Sequence, residues 1–251
     1  MKRIANLSLM VFAASLVALG VLGLITGDFA SVWQAVPKSV PGREAWAYLC
    51  ALVSVAAGLG LLKPRTAPIA SRVVLVYFLL WLLLLKVPDV IRAPLVEVSW
   101  LGCGEIAVLV AGAWVLYAGW VVRGFAGGDA GLRGARLLFG LSLIPLGLAH
   151  VVYAEQTAAM VPAWLPSHLA WAWFTGATYL AASVAVLTGR YARQAAALTA
   201  LQMGLFALLV WVPMLPTSGF KDAFQWAGML ISLLLAASAG LVAGSYGGLK
   251  R

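Results

Sequence analysis

Eight stretches of the chain are long enough and apolar enough to be buried in lipid. They lie near residues 5–25, 45–62, 70–87, 101–122, 137–154, 168–187, 195–213 and 224–244. A helix needs about 20 mostly apolar residues to cross roughly 30 Å of hydrocarbon. The run 73–85 (VVLVYFLLWLLLL) carries no charge at all. Ten of the eleven prolines fall between the stretches or at their ends, and Pro145 alone sits mid-span. The runs are continuous rather than alternating, which argues for helices against barrel strands. The first stretch follows Lys2 and Arg3 as a signal peptide would, but no convincing A-x-A cleavage site follows it. We read it as a retained helix. The pattern predicts an all-α integral membrane protein with eight transmembrane helices.

Composition sharpens this picture. The chain is 63% hydrophobic and 10% charged, against roughly 45–50% and 25% in soluble domains. Soluble, disordered, collagen-like and disulfide-rich classes are excluded. The net charge of +9 is informative by position. With the N-terminus in the cytoplasm, twelve of the seventeen Lys and Arg fall in inner segments. Only Lys38, Arg43, Lys86, Arg92 and Lys221 fall in outer ones, as the positive-inside rule requires. The acids run the other way: Asp129 is inner, six are outer, and Glu105 lies within a span. The basic excess is thus an orientation signal that meets anionic lipid heads, not a nucleic-acid surface. The expected setting is a bacterial inner membrane, with both termini cytoplasmic and the bilayer as partner. Eight of the eleven tryptophans fall near the outer interface, as an aromatic belt or as a binding surface.

The chain also repeats itself. Residues 41–88 align without gaps on 166–213 at an offset of 125, with 15 identities in 48 positions. Pro41 meets Pro166, Ala45-Trp46-Ala47 meets Ala170-Trp171-Ala172, Arg65 meets Arg190, and Val87-Pro88 meets Val212-Pro213. Upstream, Ser15-Leu16 and Leu19-Gly20 match Ser142-Leu143 and Leu146-Gly147 at offset 127. Each copy supplies four spans, and an even number makes the copies parallel rather than inverted. The expected division is a first four-helix repeat over 1–122, a Gly- and Arg-rich linker over 123–136, and a second repeat over 137–251.

The second copy carries Arg136-Leu-Leu-Phe-Gly140, then Gly147-Leu-Ala-His150. Later come Gly189-Arg-Tyr-Ala-Arg193-Gln-Ala195-Ala196-Ala197 and Met203. This series resembles the DoxX-like family of four-helix membrane proteins; the first copy joins the resemblance only through the duplication. There Gly23 stands where the family's polar residue would be. The resemblance implies a four-helix fold and an accessory role in quinone- or thiol-linked membrane redox systems, beside a membrane or periplasmic redox partner.

Ionisable groups inside spans are costly and point to function. Glu105 lies about a turn inside the fourth span and is the candidate proton-handling residue. It also reads as an ion pair with Lys86. His150, a turn from the outer end of the fifth span, is a packing histidine, a hydrogen-bond donor to a quinone ring, or a haem ligand. His168, Trp171 and Lys86 complete the candidate cofactor-binding set. His150 and His168 would serve as axial haem ligands only if their helices face each other. Two histidines exclude a multi-His metal site. Cys50 and Cys103 read either as small buried residues or as a redox thiol pair. No Walker loop, HExxH or GxSxG is present. The residues therefore leave three readings open: a quinone-contacting redox subunit, a small-solute transporter, and a scaffold without a small ligand.

Overall fold

The computed structural model of the protein describes residues 2–120 and 126–247. Eight helices long and apolar enough to cross a bilayer account for the expected spans. They are α1 (Lys2–Thr26), α2 (Arg43–Leu61), α3 (Ala67–Arg92), α4 (Glu97–Trp120), α5 (Gly128–Val152), α6 (His168–Thr188), α7 (Ala192–Met214) and α8 (Ala223–Ser245). One boundary departs from expectation. Residues 128–136, read from the sequence as linker, are the first turns of α5. That segment contains no proline, and it buries Leu132 and Ala135 on one face. Asp129 in its first turn complements the helix dipole. Of the rest of the expected linker, Ala126 and Gly127 form the turn that leads into α5, and 123–125 lie outside the described residues.

Two helices change pitch near their ends. Leu82–Lys86 in α3 and Ala207–Trp211 in α7 are π turns, at positions 125 residues apart. The N–H of Val87 bonds the Leu82 carbonyl, and that of Val212 bonds the Ala207 carbonyl, each five residues back. Proline explains both. Pro88 and Pro213 have no N–H to donate, and in a regular helix each ring would strike the carbonyl four residues earlier. A widened turn moves that carbonyl aside and lets the helix continue.

Neighbours in sequence pack as antiparallel neighbours in space, and α8 closes the series onto α1. Across the middle, α4 packs on α8. These two helices form the centre: 67% and 78% of their spanning positions are buried, against 28–44% in the other six. The first helix of each half packs on the fourth helix of the other half, α1 on α8 and α5 on α4. Lipid tails are as apolar as leucine, so close packing rather than hydrophobic burial must hold such helices together. Small residues permit it. A Cβ on Gly112 would stand 2.6 Å from the Ser238 Cβ, so only glycine lets α4 and α8 meet there. We call the end where α1, α3, α5 and α7 finish the distal end.

Candidate functional site

The distal half of the centre holds charges that lipid-embedded helices do not normally carry. Lys86 closes the π turn of α3 and is 6% exposed. Its Nζ donates to the Val32 carbonyl at 2.6 Å, in the loop after α1. Gly102 on α4 leaves room for it: a Cβ there would stand 3.3 Å from Nζ. Glu105, one turn further along α4, lies within electrostatic reach of Lys86. Among the described residues the ion pairs within 4.0 Å are Arg43–Asp28 and Arg92–Asp89. The expected Lys86–Glu105 contact pair is therefore corrected to two charges facing across a gap. The buried indole N–H of Trp33 has no hydrogen-bond partner and faces the Glu105 carboxylate. Glu97, at the start of α4, also lies within reach of Glu105, and both its oxygens are buried without partners.

On the other side of Glu105 lies the second half. Tyr179 of α6 is 6% exposed and senses the Glu105 charge. The His150 ring packs against the Tyr179 ring at 5.3 Å, tilted by 56°. His150 Nδ1 donates to the Leu146 carbonyl at 2.7 Å. A neutral imidazole fixed in this way presents Nε2 as an acceptor, not as a donor. With the ring neutral, a hydrogen bond between His150 and a quinone-type ligand would be accepted at Nε2. Lys86 and Glu105 thus share one electrostatic neighbourhood, which extends to Tyr179 of α6 and, through the ring contact, to His150 of α5. Tyr179, Trp33 and Glu97 were not singled out from the sequence. An aromatic in an apolar run reads as packing, and Glu97 reads as a loop charge.

The remaining candidates lie apart from this neighbourhood. His150 meets α6 at Gly176, eight residues and about 12 Å along the helix from His168. The two histidines are not placed as an axial pair. Trp171 is 39% exposed and packs edge-on against Phe174, on the outside of α6. Cys50 and Cys103 are both free. Cys50 lies beside Tyr77, whose hydroxyl donates to the Cys50 carbonyl at 3.2 Å, whereas Cys103 lies near Lys86. They belong to different surroundings on α2 and α4. Among the described residues no three of His, Cys, Asp and Glu gather as a metal site.

Hydrogen bonding in the two halves follows one plan. Tyr77 donates to the Cys50 carbonyl, and the Gln202 amide donates to the Thr175 carbonyl at 3.1 Å, both residues 125 positions further on. Trp100 donates to the Pro94 carbonyl at 2.9 Å, and Trp226 donates to the Phe220 carbonyl at 3.1 Å.

No curated protein and no solved structure matches the chain. A family model described as a domain of unknown function (DUF8561) matches residues 139–243, from within α5 to near the end of α8.

Proposed function

We propose that the chain is a duplicated, parallel pair of four-helix units resembling the DoxX-like family. It sits in a bacterial inner membrane with both termini cytoplasmic and acts as an accessory, quinol-contacting subunit of a redox system. The paired π turns and the paired Tyr77 and Gln202 hydrogen bonds support the duplication. The extent of the family match, which coincides with the second four-helix unit, supports it as well.

The observation that carries the functional reading is the packing of His150 on Tyr179, with Glu105 within electrostatic range of Tyr179. A hydroquinone is apolar enough to arrive through lipid and presents hydroxyl donors. One hydroxyl would donate to His150 Nε2, the acceptor left free by the Leu146 bond. As the hydroquinone gives up two electrons and two protons, His150 Nε2 would take one proton and the Glu105 carboxylate the other, passing it to the distal aqueous phase by way of Glu97. Lys86 holds that carboxylate by charge without quenching it in a direct pair. Electrons would leave through a partner redox protein.

The test is extraction of the full chain, purified in mild detergent, with mass spectrometry of bound lipophiles. Wild type should carry near-stoichiometric quinone. His150→Ala and Glu105→Gln should lose most of it while keeping their elution profile. Equal quinone content in all three proteins, or none in wild type, refutes the reading.

A further inference from the structure

A cavity of about 50 Å³ enters the first half from the distal end, between α1, α2, α3, the 28–34 loop and the start of α8. A single water needs roughly 10–15 Å³ of such space, so the cavity holds a few waters or a solute of a few heavy atoms. Its walls include both Thr26 and Leu16 of α1. The accessible part stops short of Leu16, which is wholly buried.

The second half explains why it is open. At offset 127 Gly23 corresponds to His150, and at offset 125 Ser54 corresponds to Tyr179. In the second half the rings at these two positions pack against each other. In the first half neither position carries a ring, and Gly23 and Ser54 line the cavity beside Tyr77 and Trp81.

Its floor is polar and already satisfied. Tyr77 donates to the Cys50 carbonyl and accepts from Ser54 at 3.0 Å and from the Gln34 amide at 3.3 Å. The other Gln34 terminus accepts from the Ala30 N–H at 2.9 Å, which pins the loop over the cavity. Asp28 is the one charged lining residue, and it pairs with Arg43 at the mouth. An ion entering past it would shed hydration and find no counter-charge, whereas an amide or hydroxyl would exchange water for hydroxyl, amide and thiol partners.

We infer that the first half carries a distal vestibule that admits small, uncharged polar solutes, and that its counterpart in the second half is plugged by His150 and Tyr179. This does not depend on the quinol reading. Cys50 lines the vestibule and can report on it. The experiment uses full-length Cys103→Ser protein in proteoliposomes and follows labelling of Cys50 by methyl methanethiosulfonate, which is small and neutral. Labelling should proceed and should slow by about tenfold or more in Gly23→His, the residue of the second half. A tenfold change is about 1.4 kcal/mol. Acetamide in the medium should protect Cys50, and acetate at equal concentration should not. If Gly23→His fails to elute as folded protein, Ser54→Tyr supplies the same plug from α2. Unlabelled Cys50 would mean a sealed core. Labelling that neither plug slows would mean entry from lipid. Equal protection by acetate would mean that charge is not excluded. Each of these overturns the inference.

Discussion

At the scale of residues, the distal site depends on charges that the membrane makes expensive. Lys86 has one backbone acceptor, Val32, and faces Glu105 across more than a contact distance. Removing either charge alone leaves the other buried without compensation, which is the costly case. Lys86→Met and Glu105→Gln should therefore each destabilise the protein by more than the double variant's excess over its partner. The coupling should be about 1 kcal/mol or greater in a double-mutant cycle. Strictly additive losses in denaturant unfolding would show that the two groups do not interact. Tyr77 is different, because its network is neutral. Tyr77→Phe should cost only about 0.6 kcal/mol, the average for hydrogen bonds between membrane helices. Glu105, Lys86 and His150 were legible in the sequence because charge and imidazole stand out against apolar runs. Tyr179 and Trp33 were not, since only packing shows that a buried aromatic faces a carboxylate. His168 and Trp171 had the right chemistry but stand on the wrong part of α6.

At the scale of elements, proline places the lysine. The π turn ending at Lys86 exists because Pro88 cannot continue a regular helix. One residue corresponds to about 100° of helix rotation. Pro88→Ala should let α3 become regular, turn Lys86 away from α4, and abolish the coupling between Lys86 and Glu105. Undiminished coupling would mean that the π turn does not position Lys86. At the opposite end, Arg136 holds the last turn of α8. It donates to the Ser245 hydroxyl at 2.9 Å and the Ser245 carbonyl at 2.6 Å, and its guanidinium lies over the Tyr246 ring at 4.2 Å. Hydrogen bonds to charged groups contribute roughly 1.5–3 kcal/mol. Arg136→Met should cost about that much and should speed amide exchange over 241–245; unchanged exchange would assign the cap elsewhere. The sequence marked Pro88 and Pro213 as aligned, but whether a proline kinks, ends or widens a helix depends on what packs around it. The start of α5 shows the same limit: glycines in 127–134 suggested a joint, and tertiary packing made most of it helix.

At the scale of the whole molecule, the two halves are not separate bundles. α1 packs on α8 as well as on α2, and α5 packs on α4 as well as on α6. Apolar runs reveal how many helices exist. They do not reveal which helices touch, because in lipid most faces of a spanning helix are apolar and no amphipathic stripe marks the partner. A Cβ on Gly240 would stand 3.2 Å from the Ser8 Cβ, close to disulfide geometry. In a background free of other cysteines, Ser8→Cys with Gly240→Cys should therefore oxidise to an intramolecular bond in the monomer. Crosslinked dimers, or no bond at all, would contradict the exchanged packing. The two halves then differ in what lines their distal side: Gly23 and Ser54 at a cavity in the first, His150 packed on Tyr179 in the second. The most direct test of the central claim is photolabelling of the full chain in membranes with an azido-quinone, followed by peptide mapping. Label should concentrate on α5 and α6 around His150 and Tyr179 and be competed by excess quinone. Label spread over lipid-facing residues without competition would contradict it.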